Sequence, residues 1–169
     1  MQTTAIATTV FITPDQLLQH WQGHRSLTRK AIEAFPEQEL FNYSIGGMRP
    51  FSALALELAT LSILGVHGAV TGTWKQLEEI YPDNTNPTTK EGLLQLWDDA
   101  TDYLNVFWPQ IPEDRWQETT RILGQYEGTF YSAILYWLDN ENHHRGQGFV
   151  YLRSLGIQPP FFWDRGQSW

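Results

Sequence analysis

Apolar residues in this chain recur at steps of three and four in four separate stretches, and each stretch is bounded by residues that start or stop helices. The first stretch opens at Thr13 as N-cap with Pro14 at the first helical position, carries Leu17, Trp21, Thr28, Ala31 and Phe35, and stops at Pro36. A loop, FNYSIGGMRP, leads to Pro50, from which Leu54, Leu58, Leu61 and Leu64 mark a second helix to about Val70, with a bend near Thr71 and Thr73. After the loop YPDNTNPTT, Thr88 and Glu91 read as a capping box for a third helix, from about Thr89 to Trp108, with Leu93, Trp97, Ala100, Leu104 and Phe107 inward. Beyond Pro109 and Pro112 lies a polar segment without a clear pattern. Phe130, Ala133, Trp137 and Tyr151 then mark a long fourth helix that ends at Gly156, before Pro159 and Pro160. The one strand signal is TTVFI near the start. The expected fold is therefore all-α: a single-domain four-helix bundle over residues 1–169, with short extra helical segments and an aromatic C-terminal tail.

Composition narrows the function classes. The chain has 169 residues, 41% of them hydrophobic, which suffices for one core. Its formal charge of -8 works against binding a phosphate backbone, so nucleic acid is not the expected partner. With no cysteine, disulfides, thiolate zinc sites and thiol nucleophiles are excluded. The first residues lack the basic segment of a signal peptide, and FSALALELATLSILGV carries an acid in its middle, so the expectation is a cytoplasmic protein without a membrane partner.

A few polar residues fall on stripes that other helices should cover. Glu57 lies among Leu54, Leu58, Leu61 and Leu64, where a carboxylate must be paired, protonated or bound to a metal. An alternative places it on a narrow polar edge with Ser52 and Thr60, facing water or an arginine. Both readings stay open. Asn140 and His144 point inward on successive turns of the fourth helix, a spacing that lets two side chains share one ion. His20 and His24 have the same spacing on the first helix, where His20 is expected to be exposed and His24 to face the interior. His67 reads as a helix-end or surface residue, and His143 is turned about 100° away from His144. No phosphate loop, nucleophile elbow or HExxH motif occurs. The tail PPFFWDRGQSW holds four aromatics with no helix to bury them, so it must pack on its own bundle or on another subunit.

The run ENHHRGQGFVYLRSLGIQPPFFWDR, read with the helix order and the segment GGMRPFSALALELA, resembles the DinB-like (damage-inducible, YfiT-like) superfamily of metal-binding four-helix bundles. The resemblance covers nearly the whole chain and is most specific at HHRGQ and the aromatic, Leu, Arg and Gly-Pro pattern after it. It implies a divalent metal between one histidine of the second helix and two histidines, four residues apart, of the fourth. Carried over, these positions fall at or near Glu57 and at Asn140 and His144, so one histidine of three remains. The resulting set is harder and richer in oxygen than three imidazoles, weaker for Zn or Ni and shifted toward Mn, Fe or Mg.

The resemblance thus implies a metal-dependent enzyme of hydrolase or thiol-dependent S-transferase type acting on a small-molecule substrate. Its ligands would be Glu57, Asn140 and His144, with His24 or His143 as acid–base candidates and a low-molecular-weight thiol as a cofactor. The other reading is a non-catalytic, metal-free stress-response or binding protein in which Glu57, Asn140 and His144 form a hydrogen-bonded core network. A homodimer is the assembly that the resemblance implies.

Overall fold

In the computed structural model, residues 10–83 and 85–166 are described, and they form six helices and one β-hairpin. Helix α1 (Pro14–Ala34) begins at a capping box: the Thr13 side chain accepts from the Gln16 amide, and the Gln16 side chain accepts in return from the Thr13 amide. A short α2 (Glu37–Asn42) follows Pro36, and α3 (Phe51–Thr71) starts after Pro50 and ends at Gly72, whose φ of 71° is left-handed. After a single turn, α4 (Leu77–Ile80), come α5 (Lys90–Phe107) and two 3₁₀ turns over Trp108–Gln110 and Glu113–Gln117. Strands β1 (Thr119–Ile122) and β2 (Tyr126–Thr129) lead directly into α6 (Phe130–Ser154).

Helices α1, α3, α5 and α6 make the bundle, with α3 packed along α5 and α6, and α1 packed on the same two. Its core has two parts. One gathers Phe35, Phe51, Leu58, Leu93, Trp97 and Tyr151, and the other Trp21, Val66, Leu104, Trp108, Phe130 and Trp137. The inward stripe expected for α1 is buried throughout. Helix α3 is long and apolar enough to cross a membrane, with a mean hydropathy of 1.7. More than half of that segment (56%) is buried inside the bundle, as expected of a central core helix.

The structure departs from the sequence reading at several points. The cap of α5 is Thr89, which accepts from the Gly92 amide, and not Thr88, so Glu91 falls one residue short of completing a capping box. A tertiary anchor explains the register: the Lys90 amide donates to Glu37, and Lys90 Nζ donates to the carbonyls of Glu33 and Phe35. The polar segment after Pro112 contains the antiparallel hairpin, turned at Leu123 and Gly124 with φ of 52° and 70°. Only Ile122 of its eight strand residues is buried, so no alternating pattern was there to read. Of TTVFI, Thr8 and Thr9 lie outside the described residues, and residues 10–12 form no strand.

The tail returns over α1 through its charged residues. Lys30 pairs with Asp164 at 2.8 Å, and Arg165 Nη1 lies 3.3 Å from His24 Nε2. Phe161, Phe162 and Trp163 pack on one another and stay more than half exposed, while Trp169 lies outside the described residues.

Candidate functional site

The side chains of Glu57 on α3 and of Asn140 and His144 on α6 meet where these helices pack. Asn140 Nδ2 donates to Glu57 Oε1 at 3.1 Å, and His144 Nε2 lies 3.3 Å from the same oxygen. The other carboxylate oxygen is taken by Arg49, whose Nη1 stands 2.6 Å away. Arg49 precedes Pro50 at the start of α3, and its backbone is held by the Tyr151 hydroxyl, which donates to the Arg49 carbonyl at 3.0 Å. Of the two positions open for Glu57, the structure shows an intermediate one. The side chain is 31% exposed and faces both the interhelical cluster and an arginine.

Burial pushes the Glu57 carboxyl up, but the Asn140 hydrogen bond, the hydrogen bond and charge of Arg49, and the charge of His144 outweigh it. The net shift is downward, so Glu57 is ionised at neutral pH. His144 is 8% exposed, and its Nδ1 faces Gln147 Oε1 at 2.7 Å, so both ring nitrogens look at oxygen acceptors. A neutral ring donates to one of them at a time, and a doubly protonated ring to both.

Glu57 also lines a cleft of about 510 Å³ between α3, the hairpin and the first turns of α6. Leu61, Ile122, Leu123 and Trp137 give it apolar walls, Tyr126 and Tyr136 stand at its exposed edge, and Glu127 lies on β2. Its position follows from the connection of β2 to α6, which folds the hairpin back over the face of α6 carrying Ser132, Ala133 and Tyr136. A cleft of this size suits a small molecule.

Of the acid–base candidates, His24 is not part of this cluster. His143 is exposed and reaches only its edge, with its ring centroid 5.1 Å from that of His144. His24 is buried against a different face of α6, where Arg145 Nη2 donates to its Nδ1 at 3.0 Å, while its Nε2 lies 3.2 Å from His20 Nε2 and 3.3 Å from Arg165 Nη1. Burial, followed by the charges of Arg145, Arg165 and His20, pushes the His24 pKa down to about 3. Near neutral pH it therefore stays uncharged, with Nδ1 already occupied. Among the described residues, no group of three His, Cys, Asp or Glu is placed to hold a metal.

A second polar cluster escaped the sequence reading. Glu141, 1% exposed, accepts from Trp21 Nε1 at 2.9 Å and from Thr28 Oγ1 at 2.6 Å, and Arg145 stands 3.8 Å from it. Its signal was present: Glu141 follows Trp137 and Arg145 follows Glu141, each by four residues, which keeps both on the buried stripe of α6. Arg25 is also wholly buried, donating to Ser62, Thr101 and the Trp97 carbonyl and lying 4.3 Å from the Trp97 ring centroid. His67, expected at a helix end or on the surface, lies near the end of α3, half-buried, with Nδ1 2.9 Å from the Tyr103 hydroxyl of α5.

Comparison with known proteins agrees with this architecture. The profile of the DinB family matches residues 1–167. An uncharacterized protein, YrdA, of Bacillus subtilis (strain 168) is 23% identical over 153 residues, 89% of this chain and 88% of its own. A solved structure of a DinB-like protein from Bacillus cereus ATCC 10987 superposes with a TM-score of 0.64 at 18% identity, covering 87% of this chain and 95% of the other. The chain belongs to the DinB family.

Proposed function

We propose that this protein binds a small, largely apolar molecule in the cleft beneath the hairpin and that Glu57 is the polar group that meets it. The observation that carries this reading is the double position of Glu57. It is part of the cleft wall and also the hub of the Arg49, Asn140 and His144 contacts. An ionised carboxylate held by several partners costs little reorganisation when a ligand arrives, and in an apolar wall it selects a ligand with a hydrogen-bond donor at one end.

The metal-dependent form of the expectation, with Zn, Ni, Mn or Fe on Glu57, Asn140 and His144, does not fit the donor chemistry. Asn140 turns its amide N–H toward the carboxylate, and the Arg49 guanidinium already balances the Glu57 charge. The only conventional ligand atoms left are one carboxylate oxygen and one imidazole nitrogen. A hydrolase or S-transferase acting here would therefore work through Glu57 itself. Any thiol would arrive with the substrates, since the chain has none.

The test is a screen of aromatic and aliphatic amines, amides and alcohols by thermal shift and calorimetry. The wild type is compared with Ser132→Trp, which fills the cleft, and with Glu57→Gln. Saturable binders lost in Ser132→Trp and weakened in Glu57→Gln are expected. If the folded Ser132→Trp variant binds every hit as the wild type does, the cleft is not the site.

A further inference from the structure

We propose that Arg49 is the resident cation of the Glu57 cluster, occupying the electrostatic role that a divalent metal would otherwise fill, and that removing it uncovers a latent metal site. The inference goes beyond ligand binding in the cleft and does not depend on it.

The arrangement of charge supports it. Among the described residues, Glu57 is the only acidic side chain in contact within the cluster, and its two oxygens are divided. Oε2 faces the Arg49 guanidinium at 2.6 Å, and Oε1 faces the side chains of Asn140 and His144 at 3.1 and 3.3 Å. A carboxylate on a packed helix face needs a cation or several donors, and Arg49 supplies the cation from within the chain.

The guanidinium is placed by structure on both sides. The left-handed Gly46 and Gly47 turn the loop ahead of it, Pro50 starts α3 behind it, and the Tyr151 hydroxyl holds its carbonyl. Its side chain is half exposed, so it can be shortened without opening a core cavity. Both arms of the His144 ring are also defined. Nδ1 faces Gln147 and Nε2 faces Glu57, an orientation usual for a histidine that carries a cation on Nε2.

A dication approaching Glu57 in the wild type meets a carboxylate whose charge is already balanced. It meets the repulsion of the guanidinium as well. In Arg49→Met, the charge of the Glu57 carboxylate is left uncompensated beside His144 Nε2, with the Asn140 amide free to rotate its oxygen inward. Lysine at position 49 keeps the charge and should keep the site closed.

The experiment is calorimetric titration of Zn(II) and Mn(II) into untagged wild type, Arg49→Met, Arg49→Lys and Arg49→Met/Glu57→Gln, with metal content after dialysis measured by mass spectrometry. Helicity and melting temperature report that each variant is folded. Arg49→Met is expected to bind one Zn(II) at least tenfold more tightly than the wild type or Arg49→Lys, and the added Glu57→Gln should abolish that gain. This control separates the cluster from adventitious binding at His20, His24 or His143, which the Glu57 change leaves untouched. Adding Asn140→His to Arg49→Met should tighten binding further. Two results overturn the proposal: stoichiometric metal in the wild type that Arg49→Met leaves unchanged, or no gain in metal affinity in folded Arg49→Met.

Discussion

Trp21 on α1 donates its indole N–H to Glu141 on α6 at 2.9 Å, joining two residues 120 positions apart and burying a carboxylate almost completely. Thr28 donates to the other oxygen of Glu141, and Arg145 supplies the nearest charge. The bundle thus closes its α1–α6 seam with a polar lock, while the Glu57 cluster lies on the α3–α6 seam.

A double-mutant cycle on Trp21→Phe and Glu141→Gln measures that lock without the contribution of lost ring volume. A hydrogen bond to a buried charged group predicts a coupling of about 1.5–3 kcal/mol by urea denaturation. Additive losses would mean that the indole donor contributes nothing there.

Gly148 marks the close approach of α6 to α3. A Cβ at this position would stand 2.4 Å from the Phe51 ring, which is itself stacked on Phe35 with centroids 4.9 Å apart. Gly148→Ala should therefore destabilise the fold by about 1–3 kcal/mol, because overpacking outweighs the propensity gain of about 1 kcal/mol that alanine brings to a helix. Gly146→Ala, where a Cβ meets nothing, should stabilise by up to about 1 kcal/mol. The two melting curves should move in opposite directions.

The register of α5 is tested by two neighbouring threonines. Because Thr89 supplies the cap, Thr89→Ala should cost about 1 kcal/mol, whereas Thr88→Ala, exposed and outside the helix, should be close to neutral. Equal losses would place the helix start elsewhere.

His24 makes stability depend on pH. Its pKa is pushed down from 6.5 to about 3 in the folded chain, so below 6.5 the unfolded chain binds a proton that the folded chain refuses. Stability should be fully present above about 6.5 and fall as the pH drops toward 3. The slope approaches about 1.4 kcal/mol per pH unit. Burial lowers the pKa of His20 and His67 too, with the same sign. Between pH 6.5 and 5, before the carboxylates titrate, His24→Gln should flatten most of the slope in denaturant melts. An unchanged slope would assign it to other groups.

Much of the bundle was legible because its signals are local. Thr13 with Pro14, Pro50, Gly72 and Gly156 each act on backbone within a turn of themselves, and the buried stripes of α1 and α5 repeat at the helical period. The meeting of Glu57 with Asn140 and His144 was legible in outline, because all three interrupt apolar stripes on helices that pack together. The hairpin was not, since its strands bury a single residue and its shape depends on a left-handed Leu123 that no propensity favours. Glu141 and Arg145 were missed because, after Trp137, the stripe can be continued by a step of three to Asn140 or of four to Glu141, and the sequence alone does not choose between two polar neighbours.

Periodicity and capping in the sequence therefore determined four amphipathic helices, their approximate ends and which polar residues would be costly to bury, because these depend on neighbours within a few positions. Only the tertiary structure decided what each of those polar groups would pair with. Arg49 reaches Glu57 from outside the stripe, His24 is turned from the Glu57 cluster toward Arg145, and Lys90 resets the start of α5 through Glu37. Those choices rest on which helix faces come within hydrogen-bonding distance, and that is fixed by packing between segments far apart in the chain.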